Sequence, residues 1–190
     1  MPSPEGEFRR IGERERLPGH FIRLVTGTFV DPDGFTFERE IVRHLGAVCV
    51  VAMEDDGGHI LCVRQYRPPL DSRILELPAG KMDVPGEDAE LCARRELVEE
   101  VGREAGTFTE LGRFYNSPGF TDELTVCFLA EGLVPVARAA HGIEEQHMTV
   151  ERVALREFWD LVGSGEIIDA KTIIGVSLAE RLLASRRASG

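Results

Sequence analysis

Gly80-Lys81-Met82-Asp83-Val84-Pro85-Gly86-Glu87, followed after seven residues by Arg95-Glu96-Leu97-Val98-Glu99-Glu100-Val101-Gly102, decides how this chain is read. Helical periodicity runs from Asp88 to Val101 and stops at Gly102, a residue suited to the left-handed turn that ends a helix. At about 100° per residue, Glu96 and Glu100 stand about 40° apart around that helix, with Glu99 about 60° to the other side of Glu96. Three carboxylates therefore share one arc. Leu97 and Val101 flank it, while Leu91 and Val98 point to the far side, which predicts a helix covered on more than one face. Like charges at these spacings repel by about 0.2–0.5 kcal/mol per exposed pair, and by more when partly buried. A hard divalent cation such as Mg²⁺ or Mn²⁺, which prefers oxygen ligands, turns the repulsion into a binding site. Alone, the triplet reads equally well as a solvated acidic face. The loop in front of it, Leu77-Pro78-Ala79-Gly80, ends a strand and frees backbone groups where the helix approaches, and this favours a site.

Outward from this segment the chain alternates strands and helices. Phe21–Val25 and Phe35–Ile41 flank Asp31-Pro32-Asp33-Gly34, a strong turn signal. Ala47–Met53 and His59–Tyr66 form a second hairpin around Glu54-Asp55-Asp56-Gly57-Gly58, and Arg73–Leu77 is a short strand ending at Pro78. Strands follow at Phe108–Asn116, Leu124–Glu131 and Met148–Leu155. A short helix spans Arg156–Val162, and a last helix starts near Ala170 with Asp169 as its N-cap. The expected class is α/β (α+β), a mixed sheet covered by helices, preceded by antiparallel strands that could form a small separate sheet.

Composition narrows the function. Across 190 residues, 22 Lys and Arg against 33 Asp and Glu give a net charge of −11, which argues against broad binding of nucleic acid or an anionic membrane. An anionic substrate would need a metal ion or a local arginine pocket. No apolar run is long enough to span a membrane, and the first residues lack the features of a secretory signal. Cys49, Cys62, Cys92 and Cys127 form no CxxC pair and sit among apolar neighbours, so they read as buried small hydrophobes in a reducing cytoplasm.

The segment 80–102 resembles the Nudix box: Gly, five residues, Glu, seven residues, then Arg-Glu-apolar-x-Glu-Glu-x-Gly-apolar. Two departures stand out. Six residues separate Gly80 from Glu87, the extra one falling in the Val84-Pro85-Gly86 turn, and Arg103 occupies a usually apolar position. From about Gly19 to Leu183 the chain is similar to the ADP-ribose pyrophosphatase branch of the Nudix hydrolases. This rests on Glu38-Arg39-Glu40, Arg64-Gln65-Tyr66-Arg67, Leu75–Gly80 and Ser117–Glu123, with Pro118 placed 16 residues after Gly102. Related enzymes acting on GDP-mannose share much of this framework.

The resemblance implies an α/β/α sandwich with residues 43–190 as the hydrolase domain. Residues 1–42 would be a strand segment exchanged between the subunits of a homodimer; packing on its own subunit is the alternative. It implies Mg²⁺- or Mn²⁺-dependent hydrolysis of ADP-ribose to AMP and ribose 5-phosphate. Alternatives are another nucleoside diphosphate sugar such as GDP-mannose, or a catalytically silent metabolite-binding module. Carried over residue by residue, Glu96, Glu100 and the Ala79 carbonyl would be the principal metal ligands. Glu99 would hold a further ion or the attacking water, Glu87 would bridge to a metal in some states, and Arg95 would orient the glutamates. Arg39 and Arg67 would touch substrate phosphates or ribose, or be ordinary strand-surface arginines, and Pro118 would shape the substrate wall. The loop Glu144-Glu145-Gln146-His147 would supply the base, Glu145 ahead of Glu144. Histidine is also a residue type suited to a base, but His147 would more often be a surface residue in such a loop.

Overall fold

The structure is a computed structural model describing residues 7–19, 21–139 and 142–189, with the Glu144 side chain outside the described part. Two compact units are present. The first comprises the residues up to Gly46 together with Tyr115–Leu124, and the second comprises Ala47–Phe114 and Thr125 onward.

In the first unit, β1 (Arg9–Leu17), β2 (Ile22–Val30) and β3 (Thr36–His44) form an antiparallel sheet in that order. The β2–β3 turn is built as the Asp-Pro-Asp-Gly run predicts. Asp31 Oδ1 accepts the N–H of Asp33 at 3.0 Å and of Phe35 at 2.8 Å, while Gly34 takes φ +90°. Tyr115–Leu124 is fastened to β3: Val42 N–H donates to the Phe120 carbonyl at 2.8 Å, and Asp122 accepts from the His44 N–H and the Arg43 guanidinium, each at 2.8 Å. Every residue of β1 is exposed.

The second unit has three layers. Its sheet runs β10 (Thr149–Ala154), β5 (His59–Arg67), β4 (Ala47–Met53), β9 (Leu124–Pro135), β8 (Arg103–Tyr115), with β6 (Ser72–Glu76) on β5 and β7 (Ala79–Lys81) on β4. It is mixed, since β4 runs parallel to β9 and antiparallel to β5. Strict alternation divides the core between two faces. Cys49, Val51 and Met53 of β4 join Cys62, Cys127, Phe158 and Val176 on one side, under α3 (Leu155–Gly163) and α4 (Ala170–Ser189). Val48, Val50 and Ala52 join Leu61, Val126, Cys92, Ala93 and Leu97 on the other, under α1 (Ala89–Glu96). All four cysteines are buried and free, and among the described residues no helix is long and apolar enough to cross a membrane.

Besides β1 and β7, which were not among the expected strands, three details differ from the sequence expectations. The box helix is not uniform: α1 gives way to a wider π-type turn over Leu97–Val101, closed by Gly102 at φ +65°. Leu91 is 54% exposed, because the sheet lies on the side of Cys92 and Ala93, so the helix is covered on one side where two were expected. The Glu144–His147 loop contains a single helical turn, α2 (Ile143–Gln146).

Candidate active site

The site begins where the chain leaves β6 and changes strand partner. Pro78 has no N–H to give a ladder, and its carbonyl accepts the Val50 N–H at 2.9 Å. Ala79–Lys81 then pairs with β4 and turns its backbone toward the box helix. Ala79 N–H donates to Glu100 Oε2 at 2.8 Å. At Gly80 an added Cβ would stand 1.8 Å from Glu96 Cδ, so the Glu96 carboxylate fills the space that any other residue's side chain would need. The residue inserted before Glu87 is absorbed in a turn in which Glu87 N–H donates to Val84 O at 3.2 Å, with Pro85 and Gly86 (φ +82°) at the corner. Asp88 caps α1 by accepting the Leu91 N–H at 2.9 Å.

Arg95 joins the carboxylates. It grips Glu87 with two bonds of 3.0 Å, Glu96 Oε1 at 2.7 Å and Glu99 Oε2 at 3.1 Å. The Glu87 contacts, ahead of the others, hold its guanidinium charged. Burial pushes Glu96 up to about 7 despite Arg95, with the charges of Glu99 and Glu145 adding to the rise. Burial likewise pushes Glu100 up to about 8, opposed by the Ala79 N–H. Two buried carboxylates with only partial positive compensation form a hard-oxygen donor set that a divalent cation fits. The structure therefore brings together Ala79, Glu87, Arg95, Glu96, Glu99 and Glu100 from the predicted set.

Behind them lies a network the sequence reading missed. Glu76, fully buried, is gripped by Arg67 through bonds of 2.8 and 2.7 Å and by the Lys171 ammonium. Lys171 also pairs with Asp169 at 3.1 Å; Asp169 accepts the Thr172 hydroxyl at 2.6 Å, and that hydroxyl accepts the Leu77 N–H at 2.8 Å. The α4 cap is thereby tied to the strand entering the glycine loop. Arg67 is thus bound to a carboxylate, which fixes its guanidinium; it is not a loose surface arginine.

Glu145 is half-buried, and its Oε2 accepts the Gly142 N–H at 3.1 Å. Its neighbour Glu144 has a side chain outside the described residues, and His147 is exposed. Arg39 and Pro118 belong to the first unit. Arg39 is exposed, lies 4.7 Å over the Phe37 ring and donates to the Glu38 carbonyl at 2.7 Å. Pro118 sits in a turn in which the Phe120 and Thr121 N–H groups both donate to Ser117 O at 3.1 Å.

The chain is 40% identical over 170 residues to an ADP-ribose pyrophosphatase of Bacillus subtilis (strain 168), covering 90% of this chain and 91% of the relative. It is 41% identical over 172 residues to an ADP-ribose pyrophosphatase of Mycobacterium tuberculosis (strain ATCC 25618 / H37Rv), covering 90% and 83%. A solved structure described as an ADP compounds hydrolase shares the fold with a TM-score of 0.82 at 22% identity, over 97% of this chain and 98% of that one. Residues 43–174 match the NUDIX domain, and the chain belongs to that family.

Proposed function

We propose that this protein hydrolyses the pyrophosphate bond of ADP-ribose, using water to give AMP and ribose 5-phosphate, with Mg²⁺ or Mn²⁺. The observation that carries the reading is the pairing of Gly80 with Glu96 and of Ala79 with Glu100, which sets two buried carboxylates side by side. Two relatives at about 40% identity bearing that activity in their names support the substrate. Glu96, Glu100 and the Ala79 carbonyl would hold the cation, with Glu99 and Glu87 at its margin. Bound there, it would offset the diphosphate charge and acidify a water. Arg95 keeps the glutamates aligned, and Glu76, itself paired with Lys171, holds Arg67 in place for a substrate oxygen. Glu145 takes the proton of the attacking water at a carboxylate oxygen. Arg39 contacts substrate from the strand segment, and Pro118 stiffens the wall beside it.

The active form is a homodimer in which the N-terminal strand segment, residues 1–42, reaches the partner, with residues 43–190 as the hydrolase domain. The apolar side chains of Ile11 and Leu17, exposed on β1, support this. Four buried, free cysteines fit a cytoplasmic setting.

The test compares kcat/KM for ADP-ribose, GDP-mannose and a nucleoside triphosphate at saturating Mg²⁺. ADP-ribose should lead by about 10-fold or more, as differences in shape and hydrogen bonding allow. A larger value for either competitor overturns the substrate and leaves the carboxylate site standing.

A further inference from the structure

We infer that Arg138, in the segment after β9, is a positioning residue that holds Glu145 in register with the carboxylate helix. The segment is docked on the end of that helix. Val136 N–H donates to Gly102 O at 3.0 Å, and a Cβ at Gly102 would meet Val136 O at 3.1 Å and Arg138 Cβ at 3.3 Å. From this seat the Arg138 guanidinium reaches three carbonyls in three directions. Nε donates to Glu99 O at 3.2 Å, in the turn that carries Glu99 and Glu100. One terminal nitrogen donates to Met148 O at 3.4 Å, and the other to Glu145 O.

Both ends of the clamp are chosen by chemistry. The last carbonyls of a helix have no partner within it, and arginine presents donors in a fixed planar fork that can serve several at once. The Glu145 backbone is held further by Met148 N–H, which donates to the same carbonyl at 3.3 Å, and Met148 itself is buried in the core beneath α1. The Glu145 side chain is turned back on the Gly142 N–H. One guanidinium therefore spans the helix that carries the metal-site glutamates and the turn that carries the base. Its own side chain takes no part in the chemistry. The inference rests on Glu145 being the base.

The experiment is a mutant cycle with Arg138→Ala, Arg138→Lys, Glu145→Gln and the double variant Arg138→Ala/Glu145→Gln. Each is assayed on ADP-ribose at saturating Mg²⁺ across pH, with Tm measured alongside. Arg138→Ala should lower kcat by about 10- to 100-fold with KM changed less than about twofold, the scale of misplacing a catalytic group. Arg138→Lys should fall between, because an ammonium lacks the fork. In the double variant, Arg138→Ala should add less than about twofold to the Glu145→Gln loss, as for groups that act as one unit. A multiplicative loss, a loss confined to KM, or wild-type kcat in Arg138→Ala while Glu145→Gln is crippled overturns the inference alone. Wild-type turnover in Glu145→Gln overturns the base assignment and the inference with it. Arg138→Lys keeps the cycle readable if Arg138→Ala does not fold.

Discussion

Gly80 and Glu96 occupy one space: a Cβ on Gly80 would stand 1.8 Å from Glu96 Cδ. Gly80→Ala must therefore push out a buried carboxylate, and the backbone that would have to yield is held by the Ala79 N–H bond to Glu100. Turnover should drop by about 100-fold or more, on the scale of a lost metal ligand or a misplaced reacting group. The Mg²⁺ requirement should rise in parallel. A Gly80→Ala variant with wild-type turnover and Mg²⁺ dependence would show that the contact is incidental.

Glu100→Gln separates folding from chemistry. The amide oxygen can still accept the Ala79 N–H, while the buried charge disappears. Metal-supported turnover should fall by roughly 100-fold or more. Without metal at pH 9, Tm should rise by a few degrees, because burial disfavours the ionised carboxylate. Circular dichroism melts in EDTA, together with turnover in Mg²⁺, check both halves.

The pH dependence follows from the same burial. Glu96 and Glu100 are raised from 4.5 to about 7 and about 8, so the stability linked to their protonation is complete below about 4.5 and is lost as pH rises through 7 and 8. Metal-free Tm should therefore decline between pH 5 and 9. Mg²⁺ requires the ionised forms, so the Tm gain on adding it should grow across the same window. A metal-free Tm that stays level or climbs across this window would mean that burial does not hold these carboxylates protonated.

How much of this was readable from sequence depends on the distance between partners. The spacing Arg95, Glu96, Glu99, Glu100 is local, and so are the caps at Asp88 and Asp169. Asp169 caps its helix as expected, whereas the 3.6-residue period did not foresee the wider turn that carries Glu99 and Glu100. Glu76 with Lys171 joins residues far apart in the chain, and no periodicity links them. The exposure of Leu91 escaped because amphipathic position states which side a residue is on but not whether anything packs there. The short β7 escaped because Pro78 signals the end of one strand and says nothing of a new partner.

The homodimer can be tested without truncation. Ile11 and Leu17 are exposed in β1, so Ile11→Lys with Leu17→Lys should leave each unit folded while weakening self-association by about 10-fold or more, the scale of one or two lost apolar contacts. Analytical ultracentrifugation over a concentration series reads it. Unchanged self-association would place the contact elsewhere, and a monomeric wild type would remove it.

Metal-dependent cleavage of ADP-ribose at the carboxylates beside Gly80 is open to product analysis during a Mg²⁺ titration. AMP and ribose 5-phosphate should form in equal amounts, at a rate that falls to background in EDTA and saturates with Mg²⁺. ADP-ribose left intact at saturating Mg²⁺, or cleaved equally fast in EDTA, would contradict it.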